Sequence, residues 1–173
     1  MSSSCCQSSP EPAPRPPLSA YTPLFVILLL TALAAVAKQV ASPGWSGMVW
    51  MHDFMGFFLV VFSMVKLFDV RAFASGFAKY DLLAARSRFY ALLYPFLELA
   101  LGLAYLAQWQ PRATYLATVI LLGFGTLGVV NTMRRGEQLN CACMGGILNV
   151  PVSSVTLAEN LGMSAMALVM LLF

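Results

Sequence analysis

Gly47-Met48-Val49-Trp50-Met51-His52-Asp53-Phe54-Met55-Gly56-Phe57-Phe58-Leu59-Val60-Val61-Phe62-Ser63-Met64-Val65-Lys66-Leu67-Phe68 is apolar for nearly its whole length, with His52 and Asp53 breaking its first half. As a helix it is long enough to cross the roughly 30 Å hydrocarbon core of a bilayer. An ionisable group inside such a run is expensive in lipid, so Asp53 is expected to face the interior of a bundle rather than the acyl chains.

Similar runs lie on both sides. Tyr21 to about Ala41 contains Lys38 as its one charge, and residues 89–109 contain Pro95 and Glu98. A further run covers 113–133, with Gly123, Gly125 and Gly128 thinning one side for close helix approach. Residues 156–173 form a last apolar run at the short limit for spanning, opened by Thr156 and Glu159 at the spacing of a capping box. The chain of 173 residues is 60% hydrophobic and 10% charged, more apolar than a water-soluble domain requires. The expected fold is therefore an all-α integral membrane protein, a compact bundle of four to five transmembrane helices.

Between the second and third runs, residues 69–88 are polar but keep Val70, Phe73, Phe77 and Tyr80 at helical spacing. That pattern predicts a short interfacial helix on the membrane surface. Residues 1–20 are rich in Ser, Pro and Cys and bury little, which predicts a disordered or extended tail. Ala35-Val36-Ala37 has the small-x-small form of a signal cleavage site. The long tail before it carries only Arg15, which favours a retained helix over a cleaved leader.

The distribution of Lys and Arg predicts orientation. With the tail cytoplasmic, that side holds Arg15, Lys66, Arg71, Lys79, Arg86, Arg88, Arg134 and Arg135, and the other side holds Lys38 and Arg112. The expectation from these runs and charges is a multi-pass membrane protein whose lipid partner is the bilayer itself. A net charge of +3 spread over loops offers no basic patch for nucleic acid.

The candidate chemistry centres on sulfur. Cys141-Ala142-Cys143-Met144-Gly145-Gly146 sits in a polar break between apolar runs, and the only other cysteines are Cys5-Cys6. A C-x-C pair brings two sulfurs close enough for a tight disulfide or for one soft metal ion, and the glycines let the backbone bend around either. Arg134 and Arg135 favour the reactive thiolate. Cys5-Cys6 forms a strained disulfide with difficulty but can attack another disulfide. Cys141 and Cys143 are thus a candidate redox pair and Cys5 and Cys6 a candidate exchange pair, with a thiol-redox or client protein as the partner such chemistry would need; small loop residues without a role are the plainer reading.

Met48, Met51, His52 and Met55 fall on one helical face, as do Met163, Met166 and Met170. Thioether and imidazole suit Cu(I) or a similar soft ion. Cys141, Cys143, His52, Met51 and Met55 therefore form the ligand set of an alternative, metal-handling reading. The plainer account of both stripes is methionine packing between helices. Glu98 and Asp53 are intramembrane carboxylates able to hold a proton or a structural hydrogen bond, for Glu98 to a group such as Asn131 or Tyr94. No nucleophile triad, phosphate-cradling loop or quinone or haem motif is visible, so no organic cofactor is expected.

Several of these pieces occur together in a known family. Met51-His52-Asp53-Phe54-Met55-Gly56, Lys66-Leu67-Phe68-Asp69 and Phe77-Ala78-Lys79-Tyr80-Asp81 are the first three. Tyr94-Pro95-Phe96-Leu97-Glu98-Leu99-Ala100-Leu101-Gly102 and Cys141-Ala142-Cys143-Met144-Gly145 follow, then Val150-Pro151 with Thr156-Leu157-Ala158-Glu159-Asn160. Over residues 21–173 the chain resembles the MauE branch of the DoxX-like, redox-associated membrane proteins. The resemblance implies a compact helical bundle in a bacterial inner (cell) membrane that supports maturation of methylamine dehydrogenase, a disulfide-rich client, by disulfide formation or transport. It implies Cys141 and Cys143 as the redox pair and leaves Glu98 and Asp53 as matching polar positions without a role. The predicted cytoplasmic side of the pair departs from a client that matures outside the cytoplasm, and the additional sulfur departs toward metal handling.

Overall fold

The computed structural model describes residues 22–41, 44–79, 81, 83–134 and 152–173. The order is α1 (Thr22–Val40), α2 (Gly47–Phe68), α3 (Val70–Phe77), α4 (Arg88–Leu106), α5 (Pro111–Arg134) and α6 (Val152–Leu172). Among the described residues α1, α2, α4 and the Pro111–Asn131 part of α5 are long and apolar enough to cross a membrane, and α6 has a shorter apolar stretch, Glu159–Leu172. Cys5, Cys6, Cys141 and Cys143 lie outside the described residues.

The apolar character is turned outward as much as inward. Leu116, Ile120, Phe124 and Leu127 form an exposed stripe along α5, and Phe25, Leu29, Leu30 and Leu33 do the same on α1. Faces of this size would drive aggregation in water. Lipid solvates them, and helices satisfy their own backbone groups there. The chain is a helical bundle for a membrane.

The centre is the antiparallel packing of α2 on α4, joined by α5 on α6 and by α1 on α2. Two glycines set the α2–α4 distance. A Cβ at Gly102 would lie 2.8 Å from the Val60 backbone nitrogen, and one at Gly56 would lie 2.8 Å from Leu106 Cδ2. Each helix thus presses its backbone into the other where a side chain is missing. The expected small-residue side of α5 is only partly used. A Cβ at Gly125 would meet Asn160 Nδ2 at 3.2 Å, whereas Gly123 faces open space.

Around this contact Phe54, Met55, Phe58, Leu59, Phe62, Tyr105, Leu122, Met163 and Met170 form one buried cluster, to which Ala35 of α1 contributes. Met163 and Met170 are core residues here. α1 buries only the narrow stripe Thr31, Ala35 and Gln39, spaced by four residues. The Gln39 amide closes the α1–α2 connection, with Nε2 donating to the Ser46 carbonyl at 2.8 Å and Oε1 accepting from the Ser46 N–H at 3.2 Å.

The short helix predicted within 69–88 is α3. Asp69 caps it by accepting from the Ala72 N–H at 2.9 Å. Its apolar face packs on the bundle, with Phe73, Ala74 and Phe77 buried against Ala91, Tyr94 and Val129. Asp81 Oδ1 then accepts from the Leu83 and Ala84 N–H groups, at 2.9 and 2.8 Å, and turns the chain toward α4. Burial raises the Asp81 carboxyl above its ordinary value, and those two hydrogen bonds pull against the shift.

α6 departs from its predicted start. The helix begins at Val152, directly after Pro151, so Thr156 lies one turn inside and the Thr156/Glu159 spacing does not cap the N-terminus. Proline has no N–H to lose and commonly sits at a helix start, a stronger boundary than the box five residues later.

Candidate functional site

Sequence counted Lys66, near the end of the second run, among the cations of one membrane side, and Glu98 with the bundle interior, as separate groups. In the structure they are one unit. Lys66 Nζ donates to Glu98 Oε1 at 2.6 Å and Oε2 at 2.5 Å, and both side chains are buried. The ammonium also stands 5.4 Å from the centre of the Phe73 ring and 5.3 Å from that of Tyr94. A cation over aromatic faces gains most where water is excluded. Two carboxylate oxygens and two rings therefore surround the charge, with α3 packed over it.

Beside the pair, Glu159, Asn160 and Met163 of α6 and Phe58, Phe62 and Leu122 line a small cavity of about 20 Å³. That is room for one water molecule. This polar centre lies toward the end of the bundle that carries α3. Arg134, the last residue of α5, and Val152, the first of α6, both lie toward that same end.

A second polar layer lies toward the opposite end. Asp53 Oδ1 accepts from Lys38 Nζ at 2.5 Å, with the carboxylate buried and the lysine partly exposed. The other oxygen, Oδ2, is buried with no hydrogen-bond partner among the described residues. Next to it, His52 uses both ring nitrogens: Nε2 lies 2.7 Å from the Tyr105 carbonyl and Nδ1 2.8 Å from Tyr115 Oη. The carbonyl can only accept, so Nε2 carries a hydrogen; in the neutral ring Nδ1 then accepts from the Tyr115 hydroxyl. His52 fastens the last turn of α4 and the first turns of α5 to α2.

That geometry bears on the metal reading. His52 would have to surrender one of its two bonds to bind an ion. Met55 is fully buried in the core, and Met51 packs against the same cluster. Among the described residues no three His, Cys, Asp or Glu side chains gather as a metal site. The two carboxylates singled out from sequence are both buried and both ion-paired, but with separate lysines in separate layers. Asn131 is not Glu98's partner. Sequence reasoning missed Lys66, Tyr105 and Tyr115. An opposite charge within a neighbouring apolar run was the available signal for Lys66; nothing local marked the tyrosines.

Bundle, outward-facing apolar stripes and buried ion pairs together define a multi-pass helical membrane protein. Within that class the family model described as methylamine utilisation protein MauE matches residues 15–173, nearly the whole chain, and the protein belongs to that family. No curated protein and no solved structure matches it.

Proposed function

We propose that the protein is a thiol–disulfide exchanger of the bacterial inner membrane that supports maturation of a partner protein. Cys141 and Cys143 are its redox pair. A thiolate of the pair attacks a sulfur of the partner's disulfide, forms a mixed disulfide and releases the partner's other sulfur as thiolate. The second cysteine then displaces the remaining partner thiol, leaving Cys141–Cys143 oxidised and the partner reduced; the reverse sequence oxidises a partner. Cys5-Cys6 can enter the same exchange. In this reading the tail and the pair face the cytoplasm.

The observation that carries the reading is the pair itself, with Gly145 and Gly146 behind it, in the polar segment between α5 and α6. Membership of the MauE family supports it. Alkylation of thiols in membranes equilibrated across redox buffers tests it. Cys141 and Cys143 are expected to lose reactivity together at one potential; a pair that never oxidises together overturns the proposal. Full support of the partner by the C141S/C143S protein would instead indicate an assembly factor that holds its client without thiol chemistry.

The second reading is soft-metal binding or transport, favoured by the extra sulfur at Cys5-Cys6. Binding of Cu(I) or Hg(II) that disappears in Cys143→Ser would support it, and binding unchanged in that variant would count against it.

A further inference from the structure

The His52 layer opens onto a cavity that the thiol reading does not use. Its volume is about 290 Å³, and Met48, Val49, His52, Gln108, Pro111 and Tyr115 line it. This is the space of roughly ten water molecules at about 30 Å³ each, near the lower end of small-molecule sites. It lies between the first turns of α2 and the α4–α5 connection, at the opposite end of the bundle from α3.

Gln108 is held there in an unusual way. The Trp109 N–H bonds the Ala104 carbonyl at 2.9 Å and the Gln108 N–H bonds the Tyr105 carbonyl at 3.0 Å, which closes α4 in a Schellman motif. The motif puts Gln108 in the left-handed region, at φ +50°. That position normally belongs to glycine, because a Cβ crowds the backbone there. Glutamine brings strain, and in return places a primary amide on the cavity wall. Backbone strain retained at a cavity is a mark of function when the side chain has a use.

The polar lining is matched to one kind of ligand. With Nε2 of His52 committed to the Tyr105 carbonyl and the Tyr115 hydroxyl given to Nδ1, the free lone pairs of Tyr115 Oη are left as an acceptor. The Gln108 amide adds a donor and an acceptor. Among the described residues no charged side chain lines the cavity, and the remaining walls are Met48, Val49 and Pro111. We propose that this cavity binds a small uncharged molecule with an apolar body and a hydroxyl group, a phenol or short alcohol. The hydroxyl donates to Tyr115 Oη and accepts from the Gln108 amide, and the apolar body rests on Met48, Val49 and Pro111. This site stands independently of the thiol chemistry.

Phenol is the probe and anisole, the same ring without a donor, is the control. Purified full-length protein in detergent is titrated with each while tryptophan fluorescence and thermal unfolding are followed. Phenol is expected to saturate and to raise the unfolding temperature, with anisole at least tenfold weaker. Gln108→Gly is expected to weaken phenol at least tenfold while raising the unfolding temperature of the free protein, an outcome a merely structural glutamine does not produce. Tyr115→Phe is expected to remove the preference for phenol over anisole. Val49→Trp, at a partly exposed wall position, is expected to abolish saturable binding by filling the space. Equal affinity for the two probes, or phenol binding unchanged in both Gln108→Gly and Val49→Trp, overturns the proposal.

Discussion

Lys66 and Glu98 stand 32 residues apart in the chain, yet the ammonium of one meets both carboxylate oxygens of the other inside the bundle. Charges at such depth are tolerated because each removes the other's need for water, and because Phe73 and Tyr94 face the same ammonium. A buried pair is weak evidence of net stabilisation against an apolar replacement, but removing one partner leaves the other stranded. Lys66→Met and Glu98→Leu are each expected to cost about 3–5 kcal/mol. The double change K66M/E98L is expected to cost clearly less than the sum. Thermal unfolding in detergent measures all three; strictly additive losses would show that the two side chains are not coupled.

The glycines form a graded series. At Gly102 an added methyl would run into the Val60 backbone, which cannot rotate aside, so Gly102→Ala must separate α2 from α4. A loss of about 1–3 kcal/mol is expected from such overpacking. Gly123→Ala meets nothing within 4 Å and is expected to be neutral or to stabilise by up to about 1 kcal/mol. Reversal of that order in unfolding experiments would contradict the α2–α4 contact described above.

Asp81 provides a pH dependence outside the spans. Its carboxyl is raised by burial, so the folded state holds the proton more tightly than the unfolded chain. Its contribution is therefore most favourable below the unfolded value and declines as pH rises through the folded one. Asp81→Asn keeps an acceptor for the Leu83 and Ala84 N–H groups and carries no charge. It is expected to flatten the fall in unfolding temperature that sets in as pH rises above the ordinary aspartate value. Asp81→Ala loses the acceptor as well and is expected to cost about 1 kcal/mol.

His52 separates a structural role from a ligand role. His52→Phe breaks the bonds to Tyr115 and to the Tyr105 carbonyl, and is expected to cost about 1–3 kcal/mol. Any Cu(I) or Hg(II) bound by the wild type is expected to remain at the same stoichiometry in this variant. Loss of one equivalent of metal would return His52 to the ligand set.

How far the fold could be read depended on whether the signal was local. The runs at 47–68, 89–109 and 113–133 reappear within a few residues as α2, α4 and α5, because a membrane span is specified by length and composition alone. Helix α6 starts at Val152, because the plain boundary at Pro151 outweighs the capping pattern at Thr156/Glu159. At the candidate site Glu98 and Asp53 were recognisable as interior groups, since lipid penalises any carboxylate on an outer face. Their partners were not recognisable. Lys66 lies two residues from the end of its helix, where a cation reads as marking a membrane side; the packing of α3 and α4 around it makes it interior.

By itself the sequence determined that this chain lives in a bilayer as a helical bundle, that its carboxylates within spans turn inward, and that its thiols fall in two close pairs. Tertiary structure decided which charges meet, which methionines are core, which glycines let backbones touch, and that His52 ties three helices together. The division has a physical cause. Partition into lipid depends on each segment's own surface, whereas pairing and packing depend on how helices far apart in the chain are juxtaposed, and no local pattern encodes that.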